Sequence, residues 1–107
     1  MLVHHLALPR EWQRALTEGQ YTMSTRGTTL EDEGFIHCSR PDQVAAVHDR
    51  YYADLDDVLL LTIDTDLLTS PWQVDEVAGG DSYPHVYGPV DVPAVVSVEP
   101  FRRSAWS

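Results

Sequence analysis

The chain has 107 residues, is 43% apolar, and carries a formal net charge of −10, from 17 acidic residues against seven arginines and no lysine. That length suits one domain with a single core, and the apolar fraction is that of a folded chain. The acidic balance opposes neutralisation of a phosphate backbone, so no nucleic-acid partner is expected. No apolar run approaches the roughly 20 residues of a membrane span, and residues 1–5 lack the pattern of a signal peptide. The expected setting is therefore cytoplasmic, with no membrane association. Cys38 has no second cysteine to pair with and reads as a small apolar group on the buried side of a strand.

Residues 2–8 read as a first strand, with Leu2, His4, Leu6 and Leu8 on one face and Val3, His5 and Ala7 on the other. Residues 9–19 read as a helix. Pro9 suits its first turn, Trp12, Ala15 and Leu16 form the inward stripe, and Gly19 suits the stop. The polar stretch 21–30 reads as a surface loop. Residues 34–38 form a second strand, after which Ser39 caps a helix over residues 40–52 whose inward stripe is Val44, Val47, His48 and Tyr51. The nearly continuous apolar run 58–63 predicts a strand covered on both faces. Residues 64–71 read as a loop, and residues 72–77 alternate as a strand. A Gly79-Gly80 turn follows, then an extended stretch over 83–89, a last strand over 94–98, and a flexible tail containing Trp106. The order β-α-β-α-β-β-β predicts an α+β fold with two main helices and a mostly antiparallel sheet core.

The chemistry-bearing residues are sparse. Five histidines are present, and His5, His37 and His85 all fall on extended segments. A mid-strand imidazole needs partners if buried, so three of them point to a shared polar pocket. Glu76 is the candidate carboxylate because it shares a strand face with Trp72 and Val74, where an acid is out of place unless it enters a cleft. Asp75, on the opposite face, reads as solvated. Tyr87 is open either to stacking on a ring or to packing in the core, and Arg40, just after Ser39, reads by default as solvated, with pairing to a phosphate as its functional alternative. No metal site is expected: there is no H-E-x-x-H, no C-x-x-C, and no helical i, i+4 histidine pair. Gly79-Gly80 lacks the context of a phosphate loop, and Ser39 lacks that of a nucleophile elbow.

The succession Val3-His4-His5-Leu6, Trp12, Glu33-Gly34-Phe35-Ile36-His37-Cys38-Ser39, Gln43, Leu61-Thr62-Ile63-Asp64, Glu76, Tyr83-Pro84-His85-Val86-Tyr87-Gly88-Pro89 and Ala94-Val95-Val96 resembles the bacterial family called domain of unknown function 952. The resemblance spans nearly the whole chain. It implies a reduced ADP-ribosyltransferase-like fold, a split pair of sheets with a cleft for NAD between them. Carried over by position, His5 matches the first-strand residue that holds a ribose, His37 and Ser39 stand at the second motif, and Glu76 is the late acid. His85 and Tyr87 acquire no role from the resemblance. One departure is His4, where the family more often has an aromatic residue.

Three functions are expected from these residues. The first is an enzyme acting on NAD or a nucleotide-like molecule by ribosyl transfer or hydrolysis. Glu76 would then steady the oxocarbenium charge, His5 the ribose, and His37 the leaving group. Ser39, Arg40 and Tyr87 would bind the ligand, and His85 would join the catalytic set. The second is a metabolite-binding module without turnover, and the third a histidine-based lyase or isomerase. NAD enters as a substrate rather than a cofactor, and the expected assembly is a monomer or homodimer.

Overall fold

Two three-stranded antiparallel sheets organise the computed structural model, which describes residues 1–106. In the first, β6 (Leu59–Asp64) lies between β1 (Leu2–Ala7) and β10 (Val95–Pro100). In the second, β8 (Ser82–Val86) lies between β5 (Ile36–His37) and β7 (Trp72–Glu76). Paired backbone bonds between His4 and Ser39, 2.8 Å each way, tie one sheet to the segment leaving the other.

The apolar run in β6 behaves as its composition requires. Leu60, Leu61 and Ile63 are all at most 1% exposed, because both faces of the central strand are covered. Leu61 and Ile63 join Val3, Ala7, Ile36, Cys38 and Val86 in a core between the sheets, closed by Trp12 and Ala15 of α1 (Pro9–Glu18). Leu6 and Leu60, on the other face, pack against Val44 and Val47 of α3 (Val44–Tyr51), together with Tyr52 and Phe101. Period-two alternation in β1 thus feeds two cores, which is why Val3 and Ala7 enter one and Leu6 the other.

Helix α1 starts at Pro9 without a side-chain acceptor on Leu8; instead the Glu11 carboxylate accepts the Leu8 N–H at 3.0 Å. Gly19, at φ 83°, closes the helix by donating its N–H to the Ala15 carbonyl. Leu16 is exposed, so the inward stripe is narrower than its spacing predicted.

Residues 21–30 are not a loop. They contribute Tyr21 of β2 (Gln20–Tyr21), which pairs with β9 (Val90–Asp91), and a hairpin of β3 (Met23–Thr25) and β4 (Thr28–Thr29). Arg26-Gly27 makes the turn, with Gly27 at φ 76°, and threonines flank it on both sides, a β-branched pattern that polarity disguised. Thr29 then caps α2 (Leu30–Glu33) through reciprocal bonds with Asp32.

The second main helix also departs from expectation. Ser39 is not its cap: Arg40 stands at that position, with its N–H donated to the Gln43 side chain at 2.9 Å. A 3-10 turn over Pro41–Gln43 precedes α3, and Tyr52 just beyond the helix is buried where Tyr51 is exposed. The tail is held in place. Arg103 bonds Asp49 at 2.8 and 3.0 Å, and Trp106 meets the His4 ring edge-on at 5.5 Å. Among the described residues no helix is long and apolar enough to cross a membrane.

Candidate functional site

The β5–β8–β7 sheet turns an apolar face inward and a polar, aromatic face outward. Ile36, Val86 and Trp72 contribute to the inter-sheet core. Alternation then sends His37, His85 and Asp75 to the other face, where His37 stands directly opposite His85 in the register. Gln73 stands opposite His85 on its other side.

Asp75, His85 and His37 form a linear chain. The Asp75 carboxylate lies 2.8 Å from Nδ1 of His85, and Nε2 of His85 lies 3.2 Å from Nδ1 of His37. Asp75 also accepts the Tyr87 hydroxyl, and the Gln73 amide at 2.6 Å. Three donors on one carboxylate hold its pKa below the usual range, led by the Tyr87 bond and then those of His85 and Gln73. The same contact raises the Tyr87 phenol.

With both rings neutral, an ionised Asp75 sets the proton positions along the chain. His85 donates Nδ1–H to the carboxylate, so its Nε2 carries a lone pair. His37 therefore donates Nδ1–H to that lone pair, and its own Nε2 is left as a free base. Nε2 has no partner among the described residues, and no described side-chain nitrogen is both buried and unpartnered, so this nitrogen reaches solvent. Burial, then the neighbouring His85 and His5, pushes the His37 pKa down to about 4, leaving the ring neutral near pH 7.

Aromatic rings frame this chain. Phe35 stacks on His85 at 3.9 Å and 17°, leaving that ring only 3% exposed on an outward face. Tyr83 packs on His37 at 4.7 Å, and the exposed Tyr87 ring tilts against Phe35 at 5.7 Å.

The backbone of His37 is clamped from both sides. Its N–H donates to the buried Ser24 hydroxyl at 3.3 Å, and its carbonyl accepts Nδ1–H of His5 at 2.6 Å. The second His5 nitrogen accepts the Tyr21 hydroxyl at 3.0 Å. Desolvation drives the His5 pKa to about 4, so the neutral tautomer is the one that makes both bonds. Tyr21 also interacts with the half-buried carboxyl of Glu11, whose pKa burial raises.

The expected residues thus divide. His37 and His85 meet on one face together with Tyr87. His5 lies between the sheets, and both its nitrogens are engaged, so it supports the backbone of His37 instead of reaching a ligand. Glu76 is exposed at the end of β7, on the face opposite Asp75. The carboxylate expected to be solvated is the one in the site. Trp72 packs into the core from the face that Glu76 shares, but Val74 and Glu76 farther along that face are exposed, and the histidines occupy the other face. Ser39 is buried, its backbone tied to His4. Arg40 bonds Asp42 at 3.2 Å, the Ser82 carbonyl at 2.8 Å and Asp81 at 3.5 Å, anchoring the β7–β8 turn. Gln43, part of the family pattern but given no role from the sequence, completes that anchor through Ser82 at 2.7 Å.

A concavity of about 1200 Å³ lies between α1 and the β3–β4 hairpin and is lined by residues such as Glu11, Arg14, Met23 and Leu30. It does not include His37 or His85.

In comparisons with known proteins, no curated protein matches this chain. The crystal structure of protein CC0527 from Caulobacter crescentus superposes with a TM-score of 0.83 at 22% identity, covering 95% of this chain and 87% of that one. A double-methionine variant of that protein gives the same values. Its solution NMR structure gives a TM-score of 0.75 at 23% identity, with 92% of this chain and 82% of that one covered. These likenesses concern the fold. Residues 6–98 match the family described as "Protein of unknown function (DUF952)", and the chain belongs to that family.

Proposed function

We propose that the protein is an enzyme of small polar molecules in which His37 Nε2 exchanges a proton with the substrate. The observation that carries this reading is the Asp75–His85–His37 chain ending in a solvent-reaching lone pair. When Nε2 takes a proton from the substrate, the Nδ1 proton of His37 passes to Nε2 of His85. The positive charge then rests on an imidazolium 2.8 Å from the Asp75 carboxylate. That displacement couples a desolvated base to a stabilised ion pair, so the proton is held where it is neutralised. Run in reverse, the chain returns the proton to another atom of the substrate, which is the chemistry of an isomerase or lyase. His37 is the catalytic group; His85 and Asp75 act through it.

The ADP-ribosyltransferase-like reading, with NAD as substrate, has less support. The residues assigned to it do not meet: Glu76 is exposed on the face away from the histidines, and both nitrogens of His5 are engaged. A binding module without turnover would keep the same face and lack the proton transfer.

Nitrogen-15 NMR of the imidazoles tests the relay directly. His37 and His85 are both expected as Nδ1–H tautomers at pH 7, and Asp75→Asn is expected to change the His85 tautomer. Incubation with a metabolite extract, read by NMR, supplies the functional arm. Consumption of a compound by the wild type and not by His37→Gln supports the enzyme, whereas ligand binding without consumption supports the module. An Nε2–H tautomer at His37 overturns the relay.

A further inference from the structure

We infer, on the basis of that proton-transfer reading, that the molecule acted on at His37 is a small planar organic cation. Three independent features of the surface lead there. The first is the disposition of the positive side chains. The sequence has no lysine, and none of its seven arginines hydrogen-bonds to His37, His85, Asp75 or Tyr87 among the described residues. Arg40, which reaches the β7–β8 turn at Ser82, is engaged by Asp42, Asp81 and the Ser82 carbonyl. Arg26 forks onto Asp54 at 2.6 and 3.1 Å, Arg103 onto Asp49, and Arg14 onto Glu18. None of these four arginines is left unpaired to meet a carboxylate or phosphate substrate.

The second feature is the aromatic frame. Phe35, Tyr83 and Tyr87 surround the two imidazoles at ring separations of 3.9, 4.7 and 6.4 Å, and Tyr87 is 39% exposed. Ring faces attract cations through their quadrupole, and flat rings favour a flat guest. The third is the field. A net charge of −10 on 107 residues, with the Asp75 carboxylate directly behind the histidines, draws in cations and repels anions.

The chemistry is consistent with these features. A positive nitrogen acidifies protons on adjacent atoms, which is what a neutral imidazole base requires. The bond from that proton to the substrate breaks, the new bond forms at His37 Nε2, and the substrate becomes neutral while the relay becomes positive. No co-reactant is needed.

The test uses two probes of similar size, N-methylpyridinium and benzoate, titrated into the full chain at pH 7.5 and followed by NMR. The cation is expected to shift the His37 and Tyr87 resonances saturably and to bind roughly tenfold tighter than benzoate. Tyr87→Leu is expected to weaken that binding several-fold, and Tyr87→Phe to retain it. Equal or tighter binding of benzoate, binding of neither probe, or indifference to Tyr87→Leu overturns the cation assignment. The tautomers read without ligand in the same samples judge the relay separately, so either inference can fail alone.

Discussion

His5 is the residue through which the interior governs the site. It presents one proton to the His37 carbonyl and one lone pair to Tyr21, and protonation would put two donors where one acceptor is required. Its folded pKa of about 4 lies below the ordinary value of 6.5. Between those limits the unfolded chain takes up the proton more readily, so the contribution is intact above pH 6.5 and is lost as the pH falls towards 4. For a fully buried imidazole this amounts to roughly 3 kcal/mol. Thermal melts are expected to show a falling midpoint from pH 6.5 to 4, and His5→Gln, less stable at pH 7, a flatter dependence over that window. Equal slopes would remove His5 as the cause. The same clamp predicts a kinetic pattern: His5→Gln should lower turnover through a displaced His37 while leaving the His85 tautomer unchanged by nitrogen-15 NMR.

At the level of elements, the site depends on how the ends of β7 and β8 are fixed. Gln43 is 4% exposed and satisfies Arg40, Asp81 and Ser82 together. Removing its amide leaves the Arg40 N–H without its acceptor in a partly buried setting and the Ser82 carbonyl with the Arg40 guanidinium as its remaining side-chain donor. Gln43→Ala is expected to cost about 1–3 kcal/mol in urea unfolding. Gly88 closes the other end. A Cβ there would stand 2.4 Å from the Ser70 hydroxyl, which itself donates to the Pro89 carbonyl at 2.7 Å. The glycine is needed for this close approach of segment 70–71 to segment 87–89, where Tyr87 N–H also donates to the Pro71 carbonyl. Gly88→Ala is predicted to destabilise by about 1–3 kcal/mol in the same measurement and to displace Tyr87 from Asp75. A neutral result would mean that Ser70 yields without cost.

Across the whole molecule, the two sheets share one apolar interior, and Leu61 sits at its centre with no exposed surface. Leu61→Ala is expected to cost about 2–5 kcal/mol, measured by denaturant midpoint, because both sheets border the cavity it leaves. The surface works in the opposite sense. With a net charge of −10, mutual repulsion opposes compaction, so raising sodium chloride from 20 to 200 mM is expected to raise the melting temperature. A fall would show that the arginine–carboxylate pairs outweigh the repulsion.

Local pattern was enough to place β1, α1, β6, β7, β10 and the extended stretch that holds β8, and in β1 and β6 the apolar period also reports burial, whereas β7 and β10 are largely exposed. It also identified the histidines, since an imidazole in mid-strand is unusual in any context. The stretch 21–30 was misread because its burial comes from partners remote in sequence: Tyr21 is covered through His5 and β9, and Ser24 through the His37 backbone. The choice between Asp75 and Glu76 had the same character. Alternation places them on opposite faces of one strand, but which face meets the histidines depends on the pairing of β7 with β8 and of β8 with β5. The sequence alone determined the family, the α+β class and the residues able to carry a proton. Only the tertiary structure decided which of them touch, because register between distant strands is set by the packing of both sheets around their common core.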